Sequence, residues 1–209
     1  PGDIKIYGSG SAGGKGAGLI TLNELTLPRV SRLKTRILAT DFYDRFLGNG
    51  NALTDNDRSA IESALADLGD VPLGVRSSAT SESGRASAAP GPVHAGENAS
   101  FMLPNNHPEP GVRLSQTLPA IAHIYTDFES RQSPDSPEKM AIVLNPIPGL
   151  FDDTLAGPVY YPYISGVATS FFPYALKNGY IVWRSAGIPV GNDLVGTGAY
   201  NSNRFYFVR

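Results

Sequence analysis

The chain has 209 residues, 41% apolar, 10% aromatic and 17% charged, with a formal net charge of −2 and no cysteine. That length supports one large domain or two small ones around a sizeable core. The balance leaves no basic excess for a nucleic-acid partner, and lack of cysteine excludes disulfides, thiolate metal sites and a cysteine nucleophile while fitting a cytoplasmic location. No apolar run approaches the ~20 residues that span a bilayer, so no membrane partner is expected. The N-terminus shows no signal-peptide pattern, and a start at Pro1 reads as part of something longer.

In chain order, Ile4–Tyr7 predicts a short strand running into a glycine-rich loop, and Leu19–Leu25 carries apolar residues at helical spacing. Thr35–Thr40 predicts a strand. Thr40-Asp41 then caps a helix through Leu47, with Phe42, Phe46 and Leu47 on one side. Gly48–Asn51 is a turn. Thr54–Asp57 opens the clearest helix, with Ile61, Leu65 and Leu68 facing the core and Gly69 ending it. Val71–Val75 is extended, and the Ser/Ala/Gly/Pro-rich stretch Ser77–Gly96 predicts a long functional loop. Phe101–Leu103 is a strand. A helix covers Val112–Glu129 with Pro119 as a local irregularity, Ser133–Pro137 is a turn, and Met140–Leu144 is a buried strand. Further strands are expected at Val159–Tyr163, Gly166–Phe172, Tyr180–Trp183 and Phe205–Val208. Helices dominate the first half and strands the second, which predicts an α+β fold.

Two segments carry chemistry. Gly13–Leu19 (G-G-K-G-A-G-L) embeds Lys15 in glycines whose bare N–H groups could approach an anion closely. Val75–Glu82 (V-R-S-S-A-T-S-E) follows Arg76 with the small donors Ser77, Ser78 and Thr80, and Glu82 could balance or orient the arginine. Gly8–Gly13 also matches the G-x-G-x-x-G dinucleotide fingerprint, but no acidic residue follows about 20 residues on, at Leu27-Pro28-Arg29. A Walker-type loop fails because Gly16 stands where Ser or Thr should follow the lysine. A solvated glycine loop and a structural ion-pair arginine remain the simpler alternatives. His94, His107 and His123 show no metal-ligand spacing, and Asp152-Asp153 reads as a solvated turn.

Taken with A-G-E-N-A-S-F-M-L-P-N at 95–105, these segments resemble the N-terminal nucleotide-binding domain of the phosphoenolpyruvate synthase and pyruvate phosphate dikinase family. The order continues with Ala120–Tyr125, Lys139–Leu144 and Ile164–Ser170, so the likeness covers nearly the whole chain. The resemblance implies an ATP-grasp-like fold, mostly antiparallel in its second half and incomplete here. Its subdomains would be 1–70, holding the glycine loop and helices, and 71–209, strand-rich and nucleotide-binding. It implies ATP with Mg2+ as cofactors. Lys15 and Arg76 would act on the phosphates, with Gly14, Gly16, Ser77, Ser78, Thr80 and Glu82 around them. Met140 and Asn145 would lie at the adenine. The partners implied are a phosphohistidine domain and a pyruvate-binding domain of a longer chain.

Three features depart from that pattern. The family's magnesium ligands would lie beyond Arg209, leaving no metal residue to name here. Its later glycine segment is altered at Ser185–Asp193, and Asn145 stands where a glutamine often follows the adenine strand.

Overall fold

The computed structural model describes residues 3–25, 31–82, 98–133, 135–152, 159–162, 165–169, 181–186 and 202–207, with side-chain surroundings up to residue 149. The chain divides into two compact units, Pro1–Ile147 and Pro148–Arg209. The fold is mixed α and β, as the patterning predicts. The expected boundary after residue 70 instead falls inside the first unit. The strand that follows it pairs with a strand from residues 140–146, in the same sheet as the N-terminal strands.

In the first unit the strands are β1 (Ile4–Tyr7), β2 (Thr35–Leu38), β3 (Leu73–Ala79), β4 (Ser100–Leu103) and β5 (Met140–Pro146), in the spatial order β1-β2-β5-β3-β4. β1 and β2 are parallel, and every other pairing is antiparallel. β1, β2 and β3 therefore point the same way, and their C-terminal ends share one edge of the sheet. The helices are α1 (Gly13–Glu24), α2 (Thr40–Gly48), α3 (Asp55–Leu68) and α4 (Pro110–Ser130). Among the described residues no helix is long and apolar enough to cross a membrane.

Side-chain alternation divides the sheet into two faces. Leu38, Leu73, Val75, Ala79, Met140, Ile142 and Leu144 point to one face and join the core supplied by α2, α3 and α4. That core is aromatic at its centre. Tyr43, Phe46, Tyr125 and Phe128 meet with ring centroids 5.3–5.6 Å apart in tilted or edge-on pairs. The opposite face carries Ile37, Arg76, Ser78, Ala141, Val143 and Asn145, and α1 packs there against β3 and β5.

Local chemistry explains the sharpest boundaries. The Thr54 hydroxyl accepts from the Asp57 N–H at 3.2 Å and the Asp57 carboxylate accepts from the Thr54 N–H at 3.1 Å, a reciprocal cap that starts α3. Gly69 ends the helix at φ +86°, a conformation that favours glycine. α4 has Pro110 in its first turn and runs through Pro119, giving up one internal hydrogen bond there. At the β1–β2 side, Arg36 is 4% exposed and holds Asp3 through two bonds of 3.0 and 2.8 Å. Asp67 on α3 accepts from the Tyr7 hydroxyl at 2.7 Å and from Lys5 at 3.0 Å.

The second unit contains an antiparallel pair, β6 (Gly149–Asp152) with β7 (Val159–Pro162), and an antiparallel sheet in the order β10-β9-β8. Its members are β8 (Ser165–Thr169), β9 (Ile181–Ala186) and β10 (Ser202–Phe207). Four of these strands fall where sequence patterning places them. β6 lies in a stretch that patterning leaves without a strand, because its short G-L-F-D run offers no alternation to recognise.

Candidate functional site

The glycine-rich segment is not an open loop. Gly13 through Gly18 form the first turns of α1, although each glycine in a helix interior costs about 1 kcal/mol relative to alanine. Close approach to the sheet explains why glycine is used there. Gly13 has φ +65°, and a Cβ on it would overlap the Ser78 carbonyl oxygen. A Cβ on Gly16 would stand 3.3 Å from Ile37. With those side chains missing, the first turn of α1 sits directly on β3. The Ser78 hydroxyl accepts from the Gly16 N–H at 3.0 Å and donates to the Ala12 carbonyl at 2.9 Å, which pins the helix start to the strand.

The preceding loop, Gly8–Ala12, is held by the N-terminus of α2. Ser11 N–H donates to the Thr40 hydroxyl at 2.9 Å and Thr40 N–H donates back to the Ser11 carbonyl at 2.9 Å. The Asp41 carboxylate accepts from the Ser9 and Gly10 backbone and from Arg45. Burial pushes the Asp41 carboxyl upward, but the bonds from Arg45, Ser9 and Gly10 outweigh it and hold the group below its ordinary value. Arg45 also reaches the buried Asp57 at 2.8 Å and lies 4.6 Å from the centre of the Phe42 ring. Asp41 thus occupies the position a bound anion would take at these N–H groups. Sequence patterning shows Thr40-Asp41 only as a helix cap, but the N-cap is Ala39 with no side-chain cap bond, and both side chains are turned to the Gly8–Ala12 loop instead. The carboxylate's role depends on a loop 31 residues away in the chain.

The arginine motif is strand for most of its length. Ser77, Ser78 and Ala79 belong to β3, so the loop expected from Ser77 onward begins instead as strand, followed by a single 3-10 turn at Thr80–Glu82. β5 pairs with β3 along all seven residues, which extends the strand past the arginine. Ser77 lies on the three-helix face, fully buried, and its hydroxyl has no hydrogen-bond partner. Ser78 is committed to α1. Thr80 is tied to the start of β5, its N–H donating to the Lys139 carbonyl at 3.0 Å and its hydroxyl accepting from Lys139 N–H at 3.1 Å. None of these three hydroxyls is thus placed as the sequence suggests, as an open donor beside Arg76.

Met140 is likewise corrected. Its side chain is 0% exposed in the three-helix core, facing away from α1. β5 is a central strand with β2 on one side and β3 on the other, so its Ile142–Leu144 backbone is already taken up in ladders.

Arg76, Asn145, Lys15, Gly14 and Gly16 do come to one face. Lys15 stands half-buried in the first turn of α1, and Arg76 and Asn145 stand half-buried on the strands of the α1 face. Among the described residues the Arg76 side chain has no hydrogen bond, ion pair or ring contact. Two polar atoms on the same side, Asn145 Oδ1 and Asn23 Oδ1 of α1, are buried without a donor. Buried acceptors are normally satisfied, so such a pair is a signal that sequence reading could not supply for Asn23. Glu82 closes the 3-10 turn at the sheet edge where β3 ends. Among the described residues no group of three His, Asp or Glu side chains gathers as metal ligands would. His94 lies outside the described residues. His123 meets Phe101 edge-on at 5.3 Å, and His107 accepts from the Glu109 N–H at 3.1 Å.

No protein-family model matches the chain, and no curated protein matches it.

Proposed function

We propose that this chain is the ATP-binding portion of a phosphoenolpyruvate-synthase-like phosphotransferase with an ATP-grasp-like arrangement, passing the phosphoryl group to a histidine on another domain. The observation that carries this reading is Arg76: a half-buried guanidinium on the α1 face with no acceptor among the described residues. A phosphate matches the forked donors of a guanidinium in a bidentate way and would supply the counter-charge that this arginine lacks among the described residues. Lys15 rides on the first turn of the helix that packs on the same face, where a second positive charge would add to neutralisation. ATP with Mg2+ would supply the transferable phosphoryl group, and the chain's part is to orient and neutralise it.

Fit to a polyphosphate is uneven along the segment. Arg76 and Lys15 suit it. The Ser9 and Gly10 N–H groups do not, because Asp41 already bonds them. That bond favours a second reading, a non-catalytic module that keeps the fold for binding or regulation. It also removes the anion seat that a dinucleotide-dependent oxidoreductase would need at Gly8–Gly13.

The test is thermal stability with millimolar Mg-ATP and, separately, magnesium tripolyphosphate, on wild type and Arg76→Ala. A ligand that binds only the native state at a hundred times its Kd adds ~2.7 kcal/mol. Expected is a rise in wild-type Tm with both ligands that disappears in Arg76→Ala, with the unliganded variant melting within a few degrees of wild type. No rise in wild type, or an equal rise in both proteins, overturns the proposal.

A further inference from the structure

β3 and β5 place Arg76 and Asn145 as a diagonal cross-strand pair on the α1 face. Gly74 is opposite Asn145, and Arg76 is opposite Val143, two residues along. Diagonal neighbours on one face are within reach of long side chains. What brings these two together is the side chain missing at Gly74. The point where a Gly74 Cβ would stand is 3.3 Å from Asn145 Oδ1 and 3.8 Å from Arg76 Cδ, so amide and arginine stem share the space above the glycine. A strand-interior glycine often marks such an approach. The two heads do not bond to each other. Asn145 Oδ1 is buried without a donor, and the Arg76 side chain whose stem shares that space has no acceptor among the described residues.

A vacant cationic fork next to a vacant acceptor fits a ligand that carries an anionic oxygen and a hydrogen-bond donor side by side. Inorganic polyphosphate has no such donor when fully ionised. In a nucleotide the amino group of the base lies a whole sugar away from the phosphates, too far for a residue adjacent to the phosphate-holding arginine. The ribose hydroxyls are the donors nearest the phosphate chain. We infer that Asn145 is a ribose-reading residue: its Oδ1 accepts from a 2′- or 3′-hydroxyl while Arg76 holds the phosphate, so the site takes ribonucleotides in preference to bare polyphosphate or deoxynucleotides. This rests on Arg76 as the phosphate holder, and it moves Asn145 from the adenine, where the resemblance put it, to the sugar.

The experiment is an equilibrium titration of the full 209-residue chain, at pH 8, with the magnesium complexes of ATP, 2′,3′-dideoxy-ATP and tripolyphosphate. Wild type, Asn145→Ala and Asn145→Ser are compared. A neutral hydrogen bond of this kind is worth about three- to tenfold in affinity. Expected is that wild type prefers ATP over dideoxy-ATP by that factor, that Asn145→Ala loses the preference, and that tripolyphosphate binds all three proteins alike. Asn145→Ala should also melt no lower than wild type, because it removes a buried acceptor that had no donor; Asn145→Ser provides the same reading should the alanine variant fold poorly. Equal affinity of wild type for ATP and dideoxy-ATP, or a preference that survives in Asn145→Ala, overturns the ribose assignment while leaving phosphate binding by Arg76 standing. Failure of both ATP and tripolyphosphate to bind wild type overturns this assignment and the proposed function together.

Discussion

The two faces of the five-stranded sheet are made from the same strands but solve different problems. On the three-helix face Leu38, Phe42, Phe46, Ile61, Ile142 and Leu144 pack into one contiguous core of fully or almost fully buried side chains. On the α1 face the buried Ile37 and Val143 stand among Gly, Ser, Ala, Arg and Asn, and a helix made improbable by its glycines is held down by Ser78. One face excludes water with bulk. The other brings backbone close to backbone and leaves an arginine and two amide oxygens unused. Apolar bulk is concentrated on one side of the sheet, while buried polar atoms without a partner occur on both: Ser77 Oγ and the Tyr125 hydroxyl on the three-helix side, Asn145 Oδ1 and Asn23 Oδ1 on the other.

The comparison breaks most visibly on the three-helix side. Phe46→Ala removes a 0% exposed ring from the aromatic cluster and should cost ~3–5 kcal/mol, measured by urea unfolding. A loss near zero would show that the aromatic cluster does not carry the fold. Next in size is Gly13→Ala. It forces a positive-φ position and drives a Cβ into the Ser78 carbonyl, so a loss of roughly 1–3 kcal/mol is expected. Because Lys15 rides on the displaced turn, Mg-ATP should also raise its Tm less than that of wild type; unchanged stability would show that α1 is not seated on β3.

The smallest effect sharpens the contrast at the sheet's edge. The hydrogen bonds from Tyr7 and then Lys5 hold the Asp67 carboxyl at about 2, below its ordinary 3.8. A depressed carboxyl stabilises the fold above its unfolded value, and that contribution disappears as pH falls from about 3.8 through about 2. Asp67 is solvent-accessible, so the effect is screened and modest. Asp67→Asn should lose less stability than wild type across that window, lying below wild type by a constant small amount above about pH 5 and converging with it below about pH 2. A curve identical to wild type throughout would mean the Tyr7–Asp67–Lys5 contacts do not persist in solution.

Much of the three-helix face is legible in the order of residues. Thr54 and Gly69 bound α3, and spacing alone singles out its buried residues Ile61, Leu65 and Leu68. β5 is evident from the apolar run Met140–Leu144, and β1 from Ile4–Tyr7. The α1 face is far less so. Helix propensity argues against Gly13–Gly18 as helix, and the Ser-rich stretch after Arg76 reads as loop, because in each case the stabilising partner is some sixty residues away. Arg76, Lys15 and Asn145 stand out as candidates and do share a face. Ser77, Ser78, Thr80 and Met140 stand out for the same reason, and the structure gives them other work.

Signals that act over about four residues, such as the Thr54–Asp57 cap, the glycine stop at Gly69 and the apolar periodicity of Asp55–Leu68, are decided by the order of amino acids alone. Which face a strand residue takes, and whether a polar group there is used or left over, is decided only by register and docking. Ser77 and Ser78 show why. They are chemically identical neighbours, yet a period of two sends one hydroxyl into the dry core and the other to Gly16, 62 residues away, to hold a helix in place. The same alternation puts Arg76 and Asn145 together over Gly74. Neither residue's neighbours in sequence could have shown that both would be left without a partner among the described residues.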